Sequence, residues 1–186
     1  MLSTIATKLA FYLTKWESSS EQIESCRYGL EILLYTILST SLLLLVGIIC
    51  GLLINTIILI IVYYLNQTFG GGYHAHSHFS CFLTMVCGLL ICFFIQVSFS
   101  SCSSIFYCLT IVSFIFLYKK PIHLHQNKEY LKRKSARIIK RSRFISSLST
   151  IVAMLLIMVQ NDYGVTVSLG IIAAAFSRCL GIKQEF

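Results

Sequence analysis

Six stretches of this chain, roughly residues 30–48, 50–66, 80–97, 104–118, 144–160 and 164–181, are almost continuously apolar. Each is close to the length, about 20 residues, that a helix needs to cross the hydrocarbon of a bilayer. In that medium every backbone N–H and C=O must find a partner inside the protein, so only helices or a closed barrel can span it. A barrel writes segments of about ten residues that alternate apolar and polar. Runs such as Leu42 to Leu65 show no such alternation. Charged residues make up 12% of the chain and mean hydropathy is +0.80, where soluble domains carry about 25% charge. A soluble globular fold is excluded. The sequence predicts an all-α integral membrane bundle, one domain over residues 1–186, with no linker dividing it.

Residues 1–16 hold Lys8 but neither a long apolar core nor a small-residue cleavage site, so they do not read as a signal peptide. Ile5, Leu9, Tyr12, Leu13 and Trp16 recur at helical spacing, with Lys8 and Lys15 elsewhere on the wheel. That pattern fits a helix lying in the membrane interface, and equally an amphipathic packing helix. Glu17 to Glu21, with three capping serines between, marks a surface connection before the first span.

Of fifteen Lys and Arg, ten fall between Lys119 and Arg143. Short loops rich in these residues stay in the cytoplasm, so the basic loop, residues 118–143, is assigned there. Six spans then place Lys8, Lys15, Arg27, Arg178 and Lys183 on the same side, and both termini with them. The outer connections near Gly51, Ser98 to Ser104 and Gln160 to Gly164 contain no Lys or Arg. The segment from Asn66 to His78 falls at the cytoplasmic face. A net charge of +8 also suits nucleic acid. No aromatic platform accompanies it, and topology together with attraction to anionic headgroups accounts for it without nucleic acid.

Residues 66–81 hold the densest chemistry. Gly70-Gly71-Gly72-Tyr73-His74-Ala75-His76-Ser77-His78-Phe79-Ser80-Cys81 contains three of the five histidines and one cysteine at the entry of an apolar span. Imidazole can take a thiol proton and leave a thiolate, the minimum for covalent acyl transfer. Cys50, Cys87, Cys92, Cys108 and Cys179 fall in or near apolar segments and read as packing residues, while Cys26 and Cys102 fall on opposite sides of the membrane. On one continuous helix, residues seven apart are separated by about 10 Å along the axis. His74 can reach Cys81 only if the glycines bend the chain at a loop–helix junction. His78 and His76 stand as competing bases. His74, His78 and Cys81 also have the spacing of metal ligands, but a structural zinc site needs four and no second His or Cys pair is suitably spaced. No metal and no cofactor is assigned. Glu31, the one acid inside an apolar segment, either serves as a third partner that orients the imidazole or meets headgroup water or Arg27.

These residues resemble the accessory gene regulator B family, membrane cysteine endopeptidases that process the precursor of a cyclic quorum-sensing peptide. The resemblance rests on Gly71-Gly72-Tyr73-His74-Ala75 with Cys81 seven residues after the histidine, on Tyr28-Gly29-Leu30-Glu31, and on Lys119-Lys120-Pro121. It implies that His74 and Cys81 are the catalytic pair and that Gly71 and Gly72 are motif glycines. It also implies a bacterial cell-membrane location, a short amphipathic propeptide as substrate, and a homodimer. Two departures stand out. Gln67-Thr68-Phe69-Gly70 replaces the basic residues usual before the glycine pair, and the basic loop is poorer in proline. The first bears on substrate specificity rather than on chemistry. A small transporter or permease for a peptide or ion, without peptidase activity, is the alternative; it predicts polar residues lining the middle of the bundle and tolerance of Cys81→Ala.

Overall fold

A computed structural model describes residues 2–13, 20–70, 78–99, 103–119, 129–159 and 162–184. Among them the secondary structure is helical without strands: α1 (Leu2–Leu13), α2 (Ser20–Ile49), α3 (Leu53–Gly70), α4 (His78–Phe99), α5 (Ser103–Lys119), α6 (Glu129–Met158) and α7 (Asp162–Gln184). The six apolar stretches correspond to α2 through α7. Four helices contain windows long and apolar enough to cross a membrane, Gln22–Ile49, Ser80–Phe99, Arg137–Met158 and Asp162–Gly181, and Leu53–Thr68 and Ser104–Lys119 are shorter apolar helices. The chain is a multi-pass membrane protein by this measure.

Contacts divide the chain into two compact units, Met1–Ile49 and Cys50–Phe186. In the first, α1 packs on α2. Ala6 and Ala10, one turn apart, are fully buried, because small side chains let two helix backbones approach closely. Ile5, Leu9, Tyr12 and Leu13, the face predicted for the membrane interface, stay exposed. The packing of this segment thus runs through its small residues and not through the predicted apolar face.

In the second unit α7 is the central helix, packed against α3, α5 and α6 and more lightly against α4. Every residue from Gly164 to Ile171 is buried. Leu117, Ala153, Val167, Ile171 and Ala175 form the core, with Ile58, Val62, Phe116 and Leu156 against it. Two glycines set the spacing. A Cβ on Gly170 would lie 2.9 Å from Val62 Cγ1, and one on Gly164 would lie 2.7 Å from the Ile157 backbone nitrogen. Asn55 Nδ2 donates to Thr166 Oγ1 at 2.9 Å near one end of α3, and Arg178 reaches Asn66 near the other, so α3 and α7 run parallel.

Three boundaries differ from the sequence expectation. α2 begins at Ser20 rather than near residue 30, and α3 continues through Asn66 to Gly70, where a polar break was expected. The basic segment, read as a loop over 118–143, is helical from Glu129 onward and forms the first half of α6. In each case the polar residues extend a helix instead of ending it. Lys and Arg are good helix formers, and hydropathy marks where a helix leaves hydrocarbon rather than where it stops.

Candidate active site

Cys81 sits three residues from the start of α4, half-buried, with a free thiol. Backbone N–H groups in the first turn of a helix lack intrahelical acceptors and the helix dipole is positive there, so this position suits a group that becomes negative during reaction. His78 opens the same helix one turn earlier. His74, His76, Gly71 and Gly72 lie outside the described residues. Among the described residues no group of three His, Cys, Asp or Glu is arranged to hold a metal ion.

Cys81 and Met85 are four apart and share a face of α4. The Tyr64 hydroxyl meets Met85 Sδ at 3.7 Å, so this face looks toward α3. Tyr63, adjacent on α3, lies close enough to Cys81 for charges on the two groups to interact. Its hydroxyl donates to Ser177 Oγ at 3.3 Å, and Gln67 Nε2 donates to the same oxygen at 3.1 Å.

Beside this lies a second polar cluster. Asn66 is 2% exposed. Its amide nitrogen donates to the Val62 carbonyl at 2.9 Å and to Ser149 Oγ at 3.4 Å, while Ser146 Oγ donates to its Oδ1 at 3.0 Å. Arg178, 4% exposed, donates from Nη1 to the Leu117 carbonyl at 3.0 Å and from Nη2 to the Asn66 carbonyl at 3.4 Å. Leu117 lies in the last turn of α5 and Asn66 in the penultimate turn of α3. Carbonyl oxygens at helix carboxyl ends carry partial negative charge, which offsets burial of this cation without a carboxylate. Arg143 stacks over the Tyr118 ring at 4.9 Å from its centroid. The cations of α5, α6 and α7 therefore gather at the end of the bundle that carries Cys81.

Glu31 is half-buried on α2, in the Met1–Ile49 unit, and Arg27 pairs at 3.6 Å with Glu24 rather than with Glu31. The cysteines read as packing residues are a correction: Cys92 is buried, but Cys50, Cys87, Cys108 and Cys179 are exposed on the bundle surface. Lipid tails are as apolar as a protein core, so the sequence pattern of the two environments is the same. Tyr63, Ser177 and Arg178 were missed as site neighbours, whereas Asn66 and Gln67 fall inside the 66–81 segment. The available signal was Arg178 itself, a cation inside an apolar stretch.

The family model for accessory gene regulator B matches residues 6–178, nearly the whole chain. The chain belongs to the accessory gene regulator B family. Membership associates it with the processing of quorum-sensing propeptides, the task of a family of processing proteases. No curated protein and no solved structure shows a significant match. The matched span contains both the Gly71-Gly72-Tyr73-His74 segment and Cys81, and it ends at Arg178.

Proposed function

We propose that this accessory gene regulator B protein is a membrane cysteine endopeptidase that cleaves the carboxyl-terminal part of a short amphipathic propeptide and prepares it for cyclisation. The observation that carries the reading is the placement of Cys81 in the first turn of α4, directly after the histidine-rich segment and at the cationic end of the bundle. His74 withdraws the Cys81 thiol proton, and the sulfur attacks a backbone carbonyl of the bound peptide. The tetrahedral intermediate collapses to a thioester, and the imidazolium gives its proton to the departing amine of the carboxyl-terminal fragment. A Cys or Ser side chain within the acyl portion then attacks the thioester, closing a thiolactone or lactone ring and returning the thiol to Cys81. Exchange between thioesters is nearly isoenergetic, so exclusion of water at the membrane face favours the ring over hydrolysis.

The basic half of α6 and the exposed apolar face of α1 are the proposed docking surfaces, for the charged and amphipathic parts of the propeptide and for anionic lipid. Glu31 is proposed as a third partner, the functional unit as a homodimer, and the Cys81 end of the bundle as cytoplasmic. The test uses protein in lipid vesicles with a cognate precursor peptide, read by mass spectrometry of fragments. Wild type yields the released carboxyl-terminal fragment and the ring; Cys81→Ala and His74→Ala yield neither. Cleavage that survives Cys81→Ala contradicts the proposal and leaves the transporter alternative.

A further inference from the structure

Acyl transfer at Cys81 needs a donor for the oxygen that becomes negative as sulfur bonds to the carbonyl carbon. We propose that the Tyr63 hydroxyl is that donor, released from Ser177 Oγ to the oxyanion during the reaction; the inference rests on the peptidase reading above.

Three observations place the hydroxyl. Gly170 lies against Leu59 and Val62, and Ser177 is seven residues further along α7, about 10 Å toward the Cys81 end because α3 and α7 run parallel. Tyr63 reaches Ser177, so its ring extends past its own backbone level toward that end. Cys81 is one turn closer to the same end than Met85, which Tyr64 touches, so the thiol on α4 and the phenol on the α7 side of α3 lie toward the same end of the bundle, where α3, α4 and α7 meet. The electrostatic interaction of Tyr63 with Cys81 agrees with this placement.

The hydrogen bonding shows why the hydroxyl can change partner. At 3.3 Å its bond to Ser177 Oγ is long for O–H···O, whose usual distance is about 2.7–2.8 Å. Gln67 Nε2 donates to the same oxygen at 3.1 Å, so Ser177 keeps a donor when Tyr63 leaves. A charge-assisted bond to an oxyanion is the stronger one, and it exists only once the tetrahedral intermediate has formed. The step balances simply. Sulfur gains a bond to carbon, the carbonyl π pair moves to oxygen, Tyr63 keeps its proton while donating a hydrogen bond, and collapse of the intermediate expels the leaving group.

The experiment compares two reagents on purified full-length protein in vesicles, reading modification of the Cys81-containing peptide by mass spectrometry. p-Nitrophenyl acetate acylates the thiol through an oxyanion, whereas iodoacetamide alkylates it without one. In Tyr63→Phe the acylation rate of Cys81 falls by about 10²-fold, alkylation stays within about threefold of wild type, and Tyr64→Phe leaves both rates unchanged. Acylation falling no further than alkylation in Tyr63→Phe overturns the assignment, since the ring then acts through packing or through the thiol. Failure of the peptidase reading has a different signature: Cys81 of the otherwise wild-type protein reacts with either reagent no faster than Cys81 in His74→Ala.

Discussion

The Arg178 guanidinium donates to the Leu117 carbonyl oxygen at 3.0 Å, joining α7 to the last turn of α5 inside a bundle where the cation is 4% exposed. A second bond at 3.4 Å reaches the Asn66 carbonyl of α3. One side chain thus ties three helices at the end that carries Cys81, and the helix carboxyl ends supply the negative charge. Replacing Arg178 by Met leaves the Leu117 carbonyl unbonded, and hydrogen bonds to charged groups contribute about 1.5–3 kcal/mol each. Arg178→Met is expected to lower stability by about 2 kcal/mol or more, measured as the denaturant midpoint in detergent. Arg178→Lys recovers part of the loss, because a compact ammonium keeps the charge but not the two-pronged reach.

Gly170 and Gly164 are sites of close approach rather than flexibility. A methyl at Gly164 would meet the Ile157 backbone nitrogen at 2.7 Å, and one at Gly170 would meet Val62 at 2.9 Å. Gly164→Ala and Gly170→Ala are each expected to destabilise by about 1–3 kcal/mol. Gly88, where nothing lies within 4 Å of an added methyl, is the control. Gly88→Ala is expected to be neutral or slightly stabilising through helix propensity, and equal losses at all three sites would contradict the packing assigned to α7.

The cysteines divide by environment. Simultaneous replacement of exposed Cys50, Cys87, Cys108 and Cys179 by Ala is expected to leave stability and propeptide cleavage within about twofold, because these side chains lie on the surface. Cys92, buried on α4, is expected to cost about 1 kcal/mol as Cys92→Ala through the cavity it leaves. The two variants are compared by thermal unfolding and by cleavage rate.

Much of the fold is legible in the sequence because crossing hydrocarbon demands long apolar helices, and six such runs map onto α2 through α7. What fails is the extent of the helices. Lys132 to Arg143 continue α6 because basic residues favour helix as readily as leaving it, and Asn66 stays inside α3 because Ser146 and Ser149 satisfy its amide. At the site, Cys81 follows from its spacing to the histidines, but Tyr63 and Ser177 come together from 114 residues apart, and no local pattern announces such a pair. Arg178 was visible as a cation in an apolar run, yet counting it as a topology marker concealed its burial.

Orientation has its own test. With Cys50 as the sole cysteine, the turn before α3 is expected to react with a membrane-impermeant maleimide in intact cells. With Lys183→Cys as the sole cysteine, labelling is expected only after permeabilisation. The reverse pattern would place the basic end outside and contradict the rule that cations remain in the cytoplasm.

The central claim is that Cys81 carries the acyl group. Acid quenching of the protein in vesicles within the first turnover on its precursor peptide, followed by digestion and mass spectrometry, tests it most directly. The account predicts the amino-terminal portion of the peptide joined through a thioester to the fragment containing Cys81, an adduct cleaved by hydroxylamine and absent from His74→Ala. Cleavage of the precursor with no adduct at Cys81, or with the adduct on another cysteine, would contradict it.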